Sequence, residues 1–346
     1  MLMFFFGEKY NMKIIAIYGT RPEYLKIKPI IEKSNGLIKT CFVQQHTDII
    51  DFGVSDFSIQ IEKTDKNRLN SVFEQIFKKI ENIINDFDAI LIQGDTATVC
   101  ATAISCFHLK KKIIYLESGL RTYDLENPFP EEGYRQMISR IADIHLCPTK
   151  EAFKNLKKEK TTGKIFVVGN TVLDNLLKVK DKTSYQSKIL ITLHRNENLS
   201  LINEWLSKID AIAEENKNIE FIYPIHPNPI IQKEAEKYKN IKKTKPLQHV
   251  DLINILKDCK LVITDSGGIQ EEACFLNKKI IVCRKTTERP EGIKSGHAIL
   301  CKEPEHLKSL FLKINNDFLI SAKCPYGNGK SSIKILKILF PNIKLV

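Results

Sequence analysis

Leu261-Val262-Ile263-Thr264-Asp265-Ser266-Gly267-Gly268-Ile269-Gln270-Glu271-Glu272 is the stretch that decides the fold. Four β-favouring residues run into Asp-Ser-Gly-Gly, and a helical pattern follows to Leu276. A strand that passes through Ser-Gly-Gly into a helix points free backbone N–H groups, and the positive end of a helix dipole, at an anion. The glycines let that anion approach the main chain. The same text also reads as a capped helix behind a glycine turn, so its meaning depends on the rest of the chain.

Outward from this stretch, short β-type runs alternate with amphipathic helices. In the first half Lys13–Tyr18, Thr40–Gln44, Ala89–Ile92, Ile113–Leu116, Ile144–Cys147 and Ile165–Val168 read as strands. Pro22–Lys33, Asn70–Asn85, Thr98–Leu109, Gly133–Ala142 and Ala152–Lys158 read as helices. Val172–Lys180 has a helical pattern and Asp181–Ser187 is polar, so a junction is expected within 172–187. Strands then recur at Ile189–Thr192, Ile219–Pro224, Leu261–Thr264 and Lys279–Cys283. Helices are expected at Ser200–Glu215, Ile230–Lys239, Val250–Lys257, Ile269–Leu276, Glu305–Ile314 and Ser331–Leu339. Such alternation predicts an α/β protein with parallel sheets covered on both faces. The expected organisation is an extension at 1–11, followed by two α/β domains that meet at this junction.

Composition narrows the class. The chain has 346 residues, 43% of them hydrophobic, 27% charged and 8% aromatic, which suits two globular domains and excludes a disordered or fibrous chain. No apolar run approaches the ~18 residues of a membrane span, so no membrane partner is expected. Met1–Phe6 is apolar but stops at Gly7-Glu8-Lys9, without the basic start and cleavage site of a signal peptide. The net charge of +12 comes mostly from scattered Lys, only eight of the 53 basic residues being Arg. No basic stripe is interleaved with aromatics, which argues against nucleic acid. Nine Cys with no Cys-x-x-Cys pair read as buried reduced thiols in a cytoplasmic protein. No His/Cys/Asp/Glu spacing resembles a metal site. Neither a Gly-x-x-x-x-Gly-Lys-Ser/Thr loop nor a Gly-x-Gly-x-x-Gly after a strand is present, which disfavours a P-loop NTPase and a nicotinamide enzyme.

The chemistry-bearing residues follow strands. Gly19-Thr20-Arg21-Pro22-Glu23, Gly94-Asp95-Thr96, Glu117-Ser118-Gly119-Leu120-Arg121 and Gly169-Asn170-Thr171 do so in the first half. His194-Arg195, His226-Pro227 and Asp265-Ser266-Gly267-Gly268 do so in the second. In open α/β sheets ligands bind beyond the carboxyl ends of the strands, so a cleft between two such domains is expected to collect these loops. Asp95, Glu117 and Glu131 are candidates for acid/base work at one centre. Asp95 has the alternative of capping the next helix, and Glu131-Glu132 that of favouring a helix dipole after Pro130. Glu117 ends a buried strand with no helix to serve, so it should be paired with Arg121 or Arg135, or be kept for chemistry. His194 beside Arg195 suits a phosphate grip. His226 and His249 read as structural or supporting. Glu272, one turn into its helix, is placed to accept from ribose hydroxyls.

Taken together the text resembles the non-hydrolysing UDP-N-acetylglucosamine 2-epimerase family, in order, over roughly residues 13–335. The matching motifs are Gly19–Lys26, Gln45-His46, Gly94–Thr96, Glu117–Thr122, Pro130–Arg135, Gly169–Asp174, His194–Asn198, Asp265–Glu272 and Thr286–Glu291. The resemblance implies a glycosyltransferase-B-like fold: two Rossmann-like doubly wound domains, 12–180 and 181–330, with substrate between them and a C-terminal helix at 331–346 that rejoins the first. It also implies no cofactor, no metal and a homodimer. It implies reversible epimerisation at C2 between UDP-N-acetylglucosamine and UDP-N-acetylmannosamine, in supply of surface polysaccharide. The route would be anti elimination of UDP and re-addition to a 2-acetamidoglucal. The alternatives are a hydrolysing relative releasing N-acetylmannosamine and UDP, and an epimerase of a related UDP-diacetamido sugar. Carried onto this chain, Asp95, Glu117, Glu131 and His194 are catalytic. Arg21, Lys26, Gln45, Arg135, Ser266, Gly267, Gly268, Glu272 and Arg289 bind substrate. Two departures stand out. Leu252 replaces an aromatic expected near the uracil, and the Lys63–Leu69 loop lacks the glycine associated with activation by a second substrate molecule.

Overall fold

Every strand in the computed structural model pairs in parallel with its neighbours. The structure describes residues 12–44, 55–65 and 67–342. It falls into two units, Met1–Asp174 with Lys330–Val346, and Asn175–Gly329. The first unit runs β1 (Ile14–Tyr18), α1 (Arg21–Lys33), β2 (Ile38–Gln44), β3 (Phe57–Gln60), α2 (Arg68–Lys79), α3 (Glu81–Ile84), β4 (Ala89–Gln93), α4 (Ala97–His108), β5 (Lys112–Leu116), α5 (Glu131–Ile141), β6 (Ile144–Cys147), α6 (Lys150–Lys158) and β7 (Lys164–Val167). Its sheet order is β3-β2-β1-β4-β5-β6-β7, so the strand order reverses between β1 and β4. The extension at 1–11 and Gln45 lie outside the described residues.

The second unit runs α7 (Leu177–Lys180), β8 (Lys188–Thr192), α8 (Ile202–Glu215), β9 (Glu220–Pro224), α9 (Pro229–Ala235), β10 (Lys242–Thr244), α10 (His249–Asp258), β11 (Leu261–Thr264), α11 (Gly267–Phe275), β12 (Lys279–Cys283), α12 (Pro290–Lys294), β13 (Ala298–Cys301) and α13 (Leu307–Asn316). Its order is β10-β9-β8-β11-β12-β13, with the reversal between β8 and β11. Both units are doubly wound.

Strand alternation distributes the core. Ile15 and Ile17 face a cluster with Ile76, Val99 and Ile138 from α2, α4 and α5. Ile14, Ala16 and Tyr18 face the opposite cluster, with Ile27 and Ile30 of α1. That second cluster also takes Ile335, Leu336 and Leu339 of α14 (Ser331–Leu339), the helix that returns to the first unit. In the second unit Ile189, Phe221 and Ile263 pack with Trp205, Ile209 and Phe311.

Several expected boundaries moved for local reasons. The helix expected over Asn70–Asn85 breaks at Ile80 into α2 and α3. Thr171–Leu176 is a 3-10 turn, and α7 keeps only the end of the expected Val172–Lys180 helix. The first unit ends at Asp174, while the sequence pattern places the end at 180. Asp174 explains the division, because its buried carboxylate accepts from the Ser331 amide at 3.0 Å and the Ser332 amide at 2.8 Å. It thereby caps α14 with a residue distant in sequence, and Lys33 Nζ approaches it at 3.4 Å. Asp174→Ala is expected to cost about 1–3 kcal/mol, the loss of a cap together with a charged hydrogen bond. Urea unfolding should show the midpoint fall, and an unchanged midpoint would deny Asp174 this role.

Candidate active site

At the carboxyl end of the first sheet, three carboxylates are held in three different ways. Glu117 closes β5 with φ 65°, in the left-handed region, which turns its side chain away from the strand path. Lys26 of α1 reaches its Oε1 at 2.5 Å, and Gln93 at the end of β4 donates to Oε2. The partner of Glu117 is therefore Lys26, neither of the arginines expected from the sequence. Arg121 instead bonds Glu159 at 2.8 Å and Ser139 at 2.8 Å. Arg135 forks onto Asp95, with Nε at 2.7 Å and Nη2 at 2.6 Å from Oδ2.

Asp95 does not cap α4. That work falls to Thr96, whose hydroxyl accepts from the Val99 amide. Glu131 opens α5, and its Oε2 is buried with no hydrogen-bond partner. The adjacent Glu132 is fully buried and committed to structure, accepting from the Thr122 and Tyr123 amides at 3.0 and 3.2 Å and from Gln136. Arg21 opens α1, half-buried, and among the described residues no carboxylate is paired with it. Glu23 belongs to the Gly19–Glu23 loop motif, but the sequence reading assigns it no role of its own. It is 2% exposed and ties the β1 loop to the β4 loop: Gly19 N and Thr20 N donate to its Oε2 at 2.6 and 3.1 Å, and the Thr96 hydroxyl to its Oε1 at 2.7 Å. The available signal was Thr20-x-x-Glu23, a capping-box spacing.

The second unit repeats this construction at its own reversal. The buried Asp265 carboxylate accepts from His194 N at 3.0 Å, Arg195 N at 2.9 Å and Asn198 Nδ2 at 3.0 Å, and so fixes the β8 loop. The His194 ring stacks on His226, 5.3 Å between centroids and 12° between planes. Burial pulls the His194 imidazole below its ordinary value, against the pull of Asp265, and burial lowers His226 as well. Both rings are therefore neutral near pH 7. His226 supports His194 by stacking.

Ser266, the N-cap of α11, makes no side-chain cap bond, so the first turn of that helix keeps its donors for an anion. A Cβ on Gly267 would run into the Arg289 guanidinium, whereas one on Gly268 would meet nothing within 4 Å. Arg289 thus lies beneath the loop, bonded to Glu271 at 2.8 Å and to Glu288, and it braces the loop from inside. Glu272 accepts from or donates to His249 Nε2 at 2.7 Å, which accounts for His249. Among the described residues no group of three or more His, Cys, Asp or Glu is arranged to hold a metal ion. No helix among them is long and apolar enough to cross a membrane.

A family profile described as UDP-N-acetylglucosamine 2-epimerase matches residues 37–340. The UDP-N-acetylglucosamine 2-epimerase of Campylobacter jejuni is 35% identical over 372 aligned positions, covering 94% of this chain and 97% of its own. The crystal structure of UDP-GlcNAc 2-epimerase from Neisseria meningitidis bound to UDP-GlcNAc superposes with a TM-score of 0.87 at 30% identity, covering 96% of this chain and all of that one. Acinetobacter baumannii MurG, at 11% identity and a TM-score of 0.58 over 94% of this chain and 98% of its own, shares the fold. The two parallel doubly wound units thus have a glycosyltransferase-B-like fold.

Burial lifts the Glu23 carboxyl from 4.5 to about 7, with hydrogen bonds from Gly19, Thr96 and Thr20 opposing. The folded chain therefore keeps this proton over a range in which the unfolded chain has released it. The contribution to stability is whole below about pH 4.5 and fades as pH rises to about 7, by at most about 3 kcal/mol. Gln imitates the protonated form at every pH. The melting temperature of Glu23→Gln is expected to gain on that of the wild type between pH 4.5 and about 7. Parallel melting curves across that range would contradict the shift.

Proposed function

The chain belongs to the UDP-N-acetylglucosamine 2-epimerase family, and we propose that it interconverts UDP-N-acetylglucosamine and UDP-N-acetylmannosamine by inversion at C2. The observation that carries this reading is the unequal treatment of the first-unit carboxylates. Asp95 is paired with Arg135, Glu117 is bonded by Lys26 and Gln93, and Glu131 keeps a buried oxygen without a partner. A buried polar atom left unpaired costs free energy in the resting protein, and such positions are retained where a ligand completes them.

In the proposed route a carboxylate takes the C2 proton while the C1–O bond to UDP breaks, leaving a C1=C2 double bond in a 2-acetamidoglucal. A carboxyl group then returns a proton to the other face of C2 as UDP oxygen re-forms the bond at C1. No atom is gained or lost, and neither a hydride carrier nor a metal is called for. Glu117 and Glu131 supply the proton transfers, with Asp95 and Arg135 setting the field around them. Arg21, His194 and the Ser266-Gly267-Gly268 helix start take up the charge that develops on the departing diphosphate. Lys26 holds Glu117 and lies beside the sugar. Glu272 receives the ribose once its His249 bond is shared or exchanged. Arg289 contributes by bracing the loop under the diphosphate.

The exposed Phe77, Phe107 and Met137 on neighbouring helices α2, α4 and α5 support a homodimer through that face. All nine cysteines are unpaired and eight are buried, which supports a reducing, cytoplasmic setting.

Turnover in deuterium oxide, followed by proton NMR, is expected to place deuterium at C2 of both UDP-sugars. Epimerisation with the C2 hydrogen retained would overturn the elimination route, and release of free N-acetylmannosamine would place the chain with hydrolysing relatives. Glu131→Gln is expected to leave melting and UDP affinity close to wild type while lowering turnover at least about 100-fold, the scale of general acid–base work. Near-normal turnover would return Glu131 to the role of a first-turn helix acid.

A further inference from the structure

Glu23 is absent from the set of residues assigned above, yet it is among the most thoroughly buried charged groups of the first unit. A capping box explains part of it. Glu at the third helical position commonly reaches back to the N-cap amide, here Thr20 N at 3.1 Å. That duty needs one oxygen and is ordinarily performed at the surface, where desolvation is slight. Two further bonds go beyond it. Gly19 N donates at 2.6 Å, and the Thr96 hydroxyl donates at 2.7 Å from a loop 73 positions away. Gly94, on that second loop, lies against the same side chain, a Cβ there falling 3.9 Å from Glu23 Cγ.

The two loops joined in this way leave β1 and β4, the neighbours between which the strand order reverses. One carries Arg21 and the other Asp95. From this geometry we infer that Glu23 is a positioning residue for the reaction, a tie that keeps the Arg21 loop and the Asp95 loop in one register. The inference rests on the epimerase reading for its kinetic consequence, but the tie itself does not. Ionised, the Glu23 carboxylate serves two loops at once with its two oxygens, so the tie is complete above about pH 7, where the exchange and kinetic measurements below are made. A Gln side chain offers one acceptor, so it can satisfy the Gly19 and Thr20 amides or the Thr96 hydroxyl, but not both as donors. Displacing one reacting group from another by a fraction of a bond length costs rate far more than affinity.

Three variants test the tie: Glu23→Gln, Thr96→Val and Thr96→Ser. Thr96→Val removes the hydroxyl without touching the first loop, and Thr96→Ser restores it. Amide hydrogen exchange is read at Gly19 and Thr20, and kcat and KM for UDP-N-acetylglucosamine are read on the same preparations. Thr96→Val is expected to speed exchange at Gly19 and Thr20, and Thr96→Ser to return it toward wild type. Both Glu23→Gln and Thr96→Val are expected to lower kcat by about 10- to 100-fold with KM changed less than about twofold, and the double variant to be no slower than the worse single one. Thr96→Ser recovers kcat.

Unchanged exchange at Gly19 and Thr20 in folded Thr96→Val would overturn the inference. So would a loss of kcat that only tracks the unfolded fraction seen in melting curves. Wild-type protein that turns over no UDP-N-acetylglucosamine, but in which Thr96→Val still loosens Gly19 and Thr20, would defeat the epimerase reading and leave the tie standing.

Discussion

A buried carboxylate at the point where each parallel sheet reverses its strand order is the interaction on which the rest of the structure depends. Parallel strands end with their loops on one edge, and there the backbone N–H groups of adjacent loops have no ladder to join. In the first unit Glu23 collects them from Gly19 and Thr20 and adds the Thr96 hydroxyl. In the second unit Asp265 collects them from His194 and Arg195 and adds the Asn198 amide. The two residues sit differently in sequence, one inside a helix and the other at a strand end. Each nevertheless converts two neighbouring loops into one rigid platform. Such a platform can hold reacting groups in place without waiting for a ligand to order them.

Around those platforms the cations are mostly committed to carboxylates of their own unit. Arg135 is held by Asp95, Lys26 by Glu117, Arg121 by Glu159, and Arg289 by Glu271 and Glu288. Arg284, fully buried, joins Glu197 to Glu288 beside the last of these. Buried ion pairs add little net stability, but removing one partner leaves an uncompensated charge and is costly. Their effect here is to fix where the carboxylate oxygens point. Among the described residues the guanidinium groups of Arg21 and Arg195, one beside each platform, have no carboxylate paired with them, which suits side chains reserved for an anion from outside.

What the sequence could reveal follows from this division of labour. The central strands are apolar on both faces, so Ile14–Tyr18, Ala89–Gln93 and Leu261–Thr264 stand out against any background. The strands that escaped notice are β3, β10 and β13, and all three are sheet edges. Phe57-Ser58-Ile59-Gln60 and Lys242-Lys243-Thr244 carry the polar residues that keep an edge from pairing further, and this erases the apolar signal. The Ala298–Cys301 edge is apolar but short, and it follows a helix of five residues that leaves no periodicity to read. Loop positions bearing functional side chains were legible as types and not as partners. Asp95 is open to reading as a cap because Asp outranks Thr at that position, yet the true cap is its neighbour Thr96. Arg289 carries the look of a ligand grip, yet only three-dimensional packing against Gly267 reveals it as a brace.

Glu117 shows how far the scaffold goes to present one side chain. Its φ of 65° places a residue with a Cβ where glycine is normally required, at a cost of order 1–3 kcal/mol. The next two residues make the turn irreversible. Ser118 Oγ lies 2.9 Å from His145 Nδ1, and His145 Nε2 lies 2.8 Å from the Thr162 carbonyl, both side chains being fully buried. The carbonyl can only accept, so Nε2 carries the proton and Nδ1 takes the hydrogen bond from Ser118. Burial keeps that imidazole neutral, which preserves the arrangement. Gly119, at φ 93°, then runs so close to the Ala152 carbonyl that any side chain would collide with it. The turn is therefore over-determined by Ser118, His145 and Gly119 from behind, while Lys26 and Gln93 fix the carboxylate in front. A helix-stabilising or surface role for Glu117 would need none of this. A carboxylate required at one place and one angle, at the carboxyl edge of the sheet, needs all of it.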